Sequence, residues 1–288
     1  MRYIISAALA IVPLPAMADV PQVITDIPAV HALVSQVMGD LGTPVLLLSK
    51  GADEHDFQLK PSQMGNIAAA DMVVWIGPDL TPWLERALQS TPTSLVNLTL
   101  MTAPGTVTLN YAEDGGLNPH MWLEPGNAAL WTKAISGALA KADPEHASTY
   151  AANAAAATAD LSALDGEIAA ILAPVKDRPF VTYHDAFAYF VQHYGLTQAG
   201  SVAVGDASAP GAARLAALKE TIATKGVVCL FPEEQHDDAL ITQMLNGSTA
   251  KLGAPLDPVG STLPPGPMAY DALLRSIATA LANCLNAA

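Results

Sequence analysis

Val45-Leu46-Leu47-Leu48-Ser49-Lys50-Gly51-Ala52-Asp53-Glu54-His55-Asp56-Phe57-Gln58-Leu59-Lys60 runs from four consecutive aliphatic side chains into a loop that sets one histidine among three carboxylates. An unbroken aliphatic run of this length reads as a strand of a parallel sheet covered on both faces. The loop after it carries imidazole and carboxylate donors, the side chains that attract a metal cation. Ligands of parallel α/β sheets sit beyond the carboxyl ends of the strands, which is where this loop begins.

The flanking sequence repeats the alternation. Residues 21–25 read as a strand, residues 30–38 carry apolar side chains at helical spacing and stop at Gly39, and residues 43–49 are the strand just quoted. Pro61-Ser62 opens a helix to Ala70, Met72-Val73-Val74-Trp75-Ile76 is a buried strand, Thr81-Pro82 starts a helix through Gln89, and residues 94–98 form a fourth strand. Residues 101–119, broken by Gly105, Gly115-Gly116 and Pro119, read as an exposed loop. Residues 125–141 have helical periodicity, and Asp143-Pro144-Glu145 is a strong helix start, with Asp as N-cap and Pro at the first helical position. From there to Leu172 only Gly166 interrupts an alanine-rich helix of about 43 Å.

The second half follows the same outline: strand 180–183, helix 186–194, strand 198–204, helix 211–224, strand 226–231, helix 237–245, a short strand near Pro255-Leu256 and a last helix 269–285. The expected fold class is α/β: two lobes, each a mostly parallel sheet flanked by helices, joined by one long rigid α-helix. The divisions are 1–18, a signal peptide; 19–143, the N-terminal lobe; 144–172, the linker helix; and 173–288, the C-terminal lobe. A site between the lobes follows from this arrangement.

Met1-Arg2, an apolar run to Pro15, and then Ala16-Met17-Ala18 have the form of an export signal with a small-x-small cleavage site. The run falls short of the roughly 20 residues a membrane-spanning helix needs. No cysteine follows the cleavage site, so no lipid anchor is expected, and the mature chain reads as a periplasmic monomer. About 270 mature residues suffice for two lobes with cores of their own. Without Arg2 the balance is twelve basic against twenty-seven acidic residues, which excludes nucleic acid as a partner.

The cysteines, Cys229 and Cys284, form an even count in an oxidising compartment, which favours a disulfide; two buried thiols or a metal pair are the alternatives. Two further histidines stand at edges of apolar runs: His120 in Asn118-Pro119-His120-Met121-Trp122-Leu123 and His184 in Tyr183-His184-Asp185-Ala186-Phe187. Singly, each is more often a structural residue; the reading that unites them is that His55, His120 and His184 converge on one zinc ion. His31, His146, His193 and His236 lie on or beside helical patterns without a motif and read as solvent-facing or capping. Glu233-Glu234 with Asp237-Asp238 reads as a helix-start charge cluster. Trp75, Trp83, Trp122 and Trp131 read as core residues, with Trp122 helping to dry the site.

Taken together, these segments resemble the metal-specific periplasmic binding proteins of ABC transporters, most closely the zinc-uptake, ZnuA type, over essentially the whole mature chain. The segments around His55, His120 and His184 are similar to the family's three ligand motifs. Leu256-Asp257-Pro258-Val259-Gly260 resembles a segment that supplies an Asp ligand in some relatives, and Cys229 with Cys284 resembles the pair bridged in zinc members. The resemblance implies a protein that captures a divalent metal in the periplasm and delivers it to a membrane permease, with Zn(II) as transported ligand. Three imidazoles suit Zn(II), whereas manganese sites use more oxygen. His55, His120 and His184 are the implied ligands, and the fourth position falls to Glu54, Asp257 or water. The long His- and acid-rich loop common in zinc members is missing: residues 106–119 hold Glu113, Asp114 and no histidine before the motif.

Other classes remain weaker expectations. Another divalent metal such as manganese is the nearest alternative. A zinc hydrolase shares the three-histidine constitution, but the chain has no His-Glu-x-x-His and no Gly-x-Ser-x-Gly. An adhesin on the same fold lacks a lipid-attachment cysteine.

Overall fold

The computed structural model describes residues 20–91, 94–111, 115–205 and 209–287. The signal-peptide reading of residues 1–18 and the loop acids Glu113 and Asp114 lie outside the described residues.

Proline punctuates the first half. The helices α1 (Pro28–Met38), α2 (Pro61–Ala69), α3 (Pro82–Leu88) and α4 (Pro125–Ala142) each open on a proline, at a first position where a missing N–H breaks no intrahelical bond. They flank a parallel sheet of β1 (Val23–Thr25), β2 (Val45–Leu46), β3 (Met72–Trp75) and β4 (Val96–Thr99), in the order β2-β1-β3-β4. Ile24 lies opposite both Val45 and Val73, so β1 and β3 are the buried centre. The aliphatic run 45–48 corrects the reading of a fully covered strand. Here β2 is an edge, Val45 is 39% exposed, and Leu47 and Leu48 are the buried members. Their backbone N–H groups bond to Thr25 and Asp26 just past the ladder, which carries the chain into the His55 loop.

Residues 101–111 and 115–119 are more ordered than expected. A hairpin of β5 (Leu109–Asn110) and β6 (Leu117–Asn118) crosses toward the second half. The Tyr189 hydroxyl accepts from Leu109 N at 2.7 Å and donates to Asn118 O at 2.8 Å. This tertiary tie, which the local Gly and Pro content hides, is why the segment is not a free loop.

The linker helix α5 (Ala147–Leu172) is about 39 Å long at 1.5 Å per residue. A single 3₁₀ turn, Pro144–His146, precedes it, with Asp143 accepting from His146 N as the sequence implies. Tyr150, Ala154, Ala157, Leu161, Leu164, Ile168 and Leu172 make one buried stripe at helical spacing.

The second sheet, β7 (Phe180–Thr182), β8 (Gln198–Ser201), β9 (Cys229–Phe231) and β10 (Lys251–Leu252), is parallel in the order β10-β9-β7-β8. The strand expected near Leu256 is reduced to a bridge with Glu233, and β10 lies a few residues earlier. Helices α6 (Ala188–Tyr194), α7 (Ala212–Thr224), α8 (Ala239–Leu245) and α9 (Ala269–Asn286) complete the half. The last helix packs against both α5 and α1. One apolar core therefore runs from Val23 to Leu285 through both halves, and only a smaller cluster around Val181, Leu230 and Ile241 belongs to the second sheet alone. The expectation of separate cores is corrected by this return of α9. A disulfide joins Cys229 on β9 to Cys284 on α9, the pairing expected.

Candidate metal centre

His55, His120 and His184 come together where the two sheets present strand ends. His55 follows β2, His120 follows β6, and His184 lies two residues past β7. His120 Nε2 is 3.2 Å from His55 Nε2 and 3.1 Å from His184 Nε2. Ligands of a tetrahedral zinc ion at about 2.05 Å from the metal are spaced by about 3.3 Å, so these separations fit edges of such a tetrahedron. Glu54 Oε1 lies 3.9 Å from His55 Nε2 and 4.0 Å from His120 Nε2. That oxygen is buried and has no hydrogen-bond partner among the described residues.

The outer nitrogens decide which atoms face inward. His120 Nδ1 meets Asn118 Oδ1 at 2.8 Å, and His184 Nδ1 meets Glu233 Oε2 at 2.6 Å. Both partners are acceptors, so each Nδ1 carries a proton and each Nε2 faces into the site. Two Nε2 atoms 3.1 Å apart are held together by a shared proton or by a cation between them. Burial, and then the facing His184 and His55 rings, hold His120 well below the usual imidazole range. Burial opposes charge on His184 too, but the Glu233 carboxylate, helped by Glu54 and Asp53, raises it to about 9. Burial pushes the Glu54 carboxyl well above its ordinary value.

Neighbouring loops hold these groups in place. Trp83 Nε1 donates to Glu54 O at 2.8 Å, and Gly51, at φ +70 in the left-handed region, donates its N–H to Ser261 O at 3.1 Å. Trp122 is fully buried 5.2 Å from the His120 ring and donates to Pro258 O at 2.7 Å. Its burial is that of a core residue, as the sequence suggests.

Asp257 stands apart from the donor cluster. Its Oδ1 accepts from Val259, Gly260 and Ser261 N and from Gln235 Nε2, and its Oδ2 accepts from Thr262 N and Oγ1. Of the histidines read as lacking a motif, His146 is held by Asp143, whose side chain does the capping. His31 is not solvent-facing: it is buried and donates from Nε2 to Pro44 O. His236 lies at the mouth of the cleft, and Glu233 is buried against His184 instead of starting a helix, because α8 begins only at Ala239. The signal for Glu233 was its place two residues past a buried strand, the same position His184 holds after β7.

The sequence model of the ZnuA family, described as zinc-uptake complex component A, periplasmic, matches residues 23–284. The chain belongs to the ZnuA family. Among ZnuA relatives, the high-affinity zinc uptake system protein ZnuA of Paracoccus denitrificans is 43% identical, with 99% of this chain and 98% of that protein covered. The protein of the same name from Brucella suis biovar 1 is 32% identical, with coverage of 92% and 91%. A ZnuA crystal structure matches at a TM-score of 0.80 and 27% identity, covering 92% of this chain and 99% of that one. As a ZnuA family member the chain is a periplasmic component of zinc uptake, with Zn(II) as its cargo. Among the described residues no helix is long and apolar enough to cross a membrane.

Proposed function

We propose that His55, His120, His184 and Glu54 hold the transported zinc ion, and that the chain captures it in the periplasm and passes it to the permease of an ABC transporter without chemistry of its own. The observation that carries this is the meeting of three Nε2 atoms beside a buried carboxylate oxygen that has no hydrogen-bond partner among the described residues. Three nitrogens and one oxygen fill the four positions of tetrahedral Zn(II), and a site so closed keeps no open position for a reactive water. Asp257, the competitor for the fourth position, has both oxygens engaged within its own loop.

The lobes 19–143 and 173–288, joined by 144–172, supply ligands from opposite sides. Metal analysis and competition titration of the mature chain test the assignment. One tightly held zinc ion is expected, lost in His55→Ala, His120→Ala and His184→Ala and weakened in Glu54→Ala. Full affinity in Glu54→Ala together with loss in Asp257→Ala would move the fourth ligand to Asp257.

A further inference from the structure

Asn118 is fully buried and bonds to both halves of the chain. Its Oδ1 accepts from the backbone N–H of His120 at 3.1 Å, and its Nδ2 donates to the backbone carbonyl of Asp185 at 3.1 Å. A backbone N–H donates and a carbonyl accepts, so these two contacts fix which way round the amide lies. The same Oδ1 accepts from Nδ1–H of the His120 ring at 2.8 Å. The main chain of Asn118 is held as well, since the Tyr189 hydroxyl on α6 donates to its carbonyl at 2.8 Å.

These contacts cross the cleft. Asn118 ends β6 in the first half, two residues before His120, whereas Asp185 follows His184 directly in the second. The His184 carbonyl is fixed from its own side, where it accepts from Thr182 Oγ1 at 2.9 Å. One amide therefore holds the ring of one inward-facing histidine and the main chain beside the other, and their Nε2 atoms stand 3.1 Å apart. The outer nitrogen of His184 has a different kind of partner, the carboxylate of Glu233 from its own half, which supplies charge.

We infer that Asn118 is a positioning residue for zinc binding, a brace that sets the separation of His120 and His184 across the cleft. Metal sites tolerate errors of only about 0.2 Å in ligand distance, so two ligands carried by different halves need a tie close to the ion. The tie requires an acceptor and a donor on one planar group. A carboxylate lacks the N–H for Asp185, and an aliphatic side chain lacks both. Without the brace the two imidazoles drift independently, and zinc is held more weakly.

The brace presupposes that His120 and His184 bind zinc, as proposed above. Chelator competition titration of the mature chain tests it with two variants. Asn118→Ala removes both contacts and is expected to weaken zinc binding by about 10–100-fold. Asn118→Asp keeps the shape and the acceptor for His120, and its charge alone would make that imidazole a stronger donor. Loss of the N–H to Asp185 is nevertheless expected to leave Asn118→Asp about tenfold weaker than wild type. Long-range proton–nitrogen NMR of the zinc-free chain supplies the second readout. In Asn118→Asp the His120 ring is expected to keep its proton on Nδ1, while the His184 ring signals shift although the amide touches only the main chain next to it. Wild-type affinity or better in Asn118→Asp would reduce the residue to an acceptor for His120 and overturn the brace. Unmoved His184 signals, or full affinity in Asn118→Ala, would overturn it equally. Full affinity in His120→Ala or His184→Ala would instead show that the ligand assignment itself is wrong.

Discussion

Glu233 Oε2 lies 2.6 Å from His184 Nδ1, and both side chains are sealed from solvent. A carboxylate there fixes the tautomer and makes the inward nitrogen a stronger donor. Glu233→Gln keeps an acceptor and removes the charge, so zinc affinity is expected to fall toward the lower end of about 10–100-fold. A chelator competition titration measures this, and unchanged affinity would show that the charge does not act on the metal.

Zinc must displace the proton that His184 carries in the free site, where Glu233 outweighs burial and raises it to about 9. Below that value the metal-free form holds the extra proton, so affinity falls as pH falls. For a single displaced proton the slope is about tenfold per pH unit. Competition titrations between pH 6 and 8, corrected for the chelator's own protonation, are expected to show it; a flat profile would contradict it.

His193 on α6 links three elements: its Nδ1 is 2.8 Å from Glu124 at the start of α4, and its Nε2 is 2.8 Å from Asp165 on α5. The Glu124 hydrogen bond, against burial and with Asp165 assisting, raises its pKa from 6.5 to about 9. A raised imidazole stabilises the fold fully below its unfolded value and stops doing so as pH rises through about 9. Urea unfolding of the zinc-free chain is therefore expected to show His193→Gln least stable relative to wild type at pH 6, with the difference shrinking by pH 9.5. A difference constant with pH would mean that charge is not involved.

The Cys229–Cys284 bridge spans 55 residues and ties β9 to the helix that returns to the first half. The chain-entropy view gives up to about 4 kcal/mol for a loop of that length. Reduction, or Cys229→Ala with Cys284→Ala, is expected to lower the unfolding midpoint while one zinc ion is still bound, since neither cysteine lies in the donor cluster.

With α5 packed on α1, α4 and α9 and one core running through both halves, a wide hinge opening would have to break that core. Small-angle scattering of the zinc-free and zinc-bound chains is expected to give closely matching curves. A difference as large as a domain closure requires would contradict this.

The three histidines were legible because each sits at the edge of an apolar run, and parallel sheets place ligands at that edge. The order of strands and helices followed from the same periodicity. Glu233 was read past, although it stands two residues beyond a buried strand as His184 does. Within Glu233-Glu234-Gln235-His236-Asp237-Asp238 it looks like one more helix-start acid, and its role lies in a contact 49 residues away in the chain. The 109–118 hairpin was hidden for a related reason, since its anchor is the hydroxyl of Tyr189. Even β2 misled locally, because a hydrophobic run records burial without saying which residues of the run an edge strand leaves uncovered.

The six hydrogen bonds that converge on Asp257 have a consequence for which metal this scaffold can carry. A harder ion that prefers oxygen would have to draw that carboxylate out of the turn, and the backbone from Val259 to Thr262 would lose its acceptors together. Recruiting Asp257 to a cargo ion would therefore require that turn to be rebuilt first.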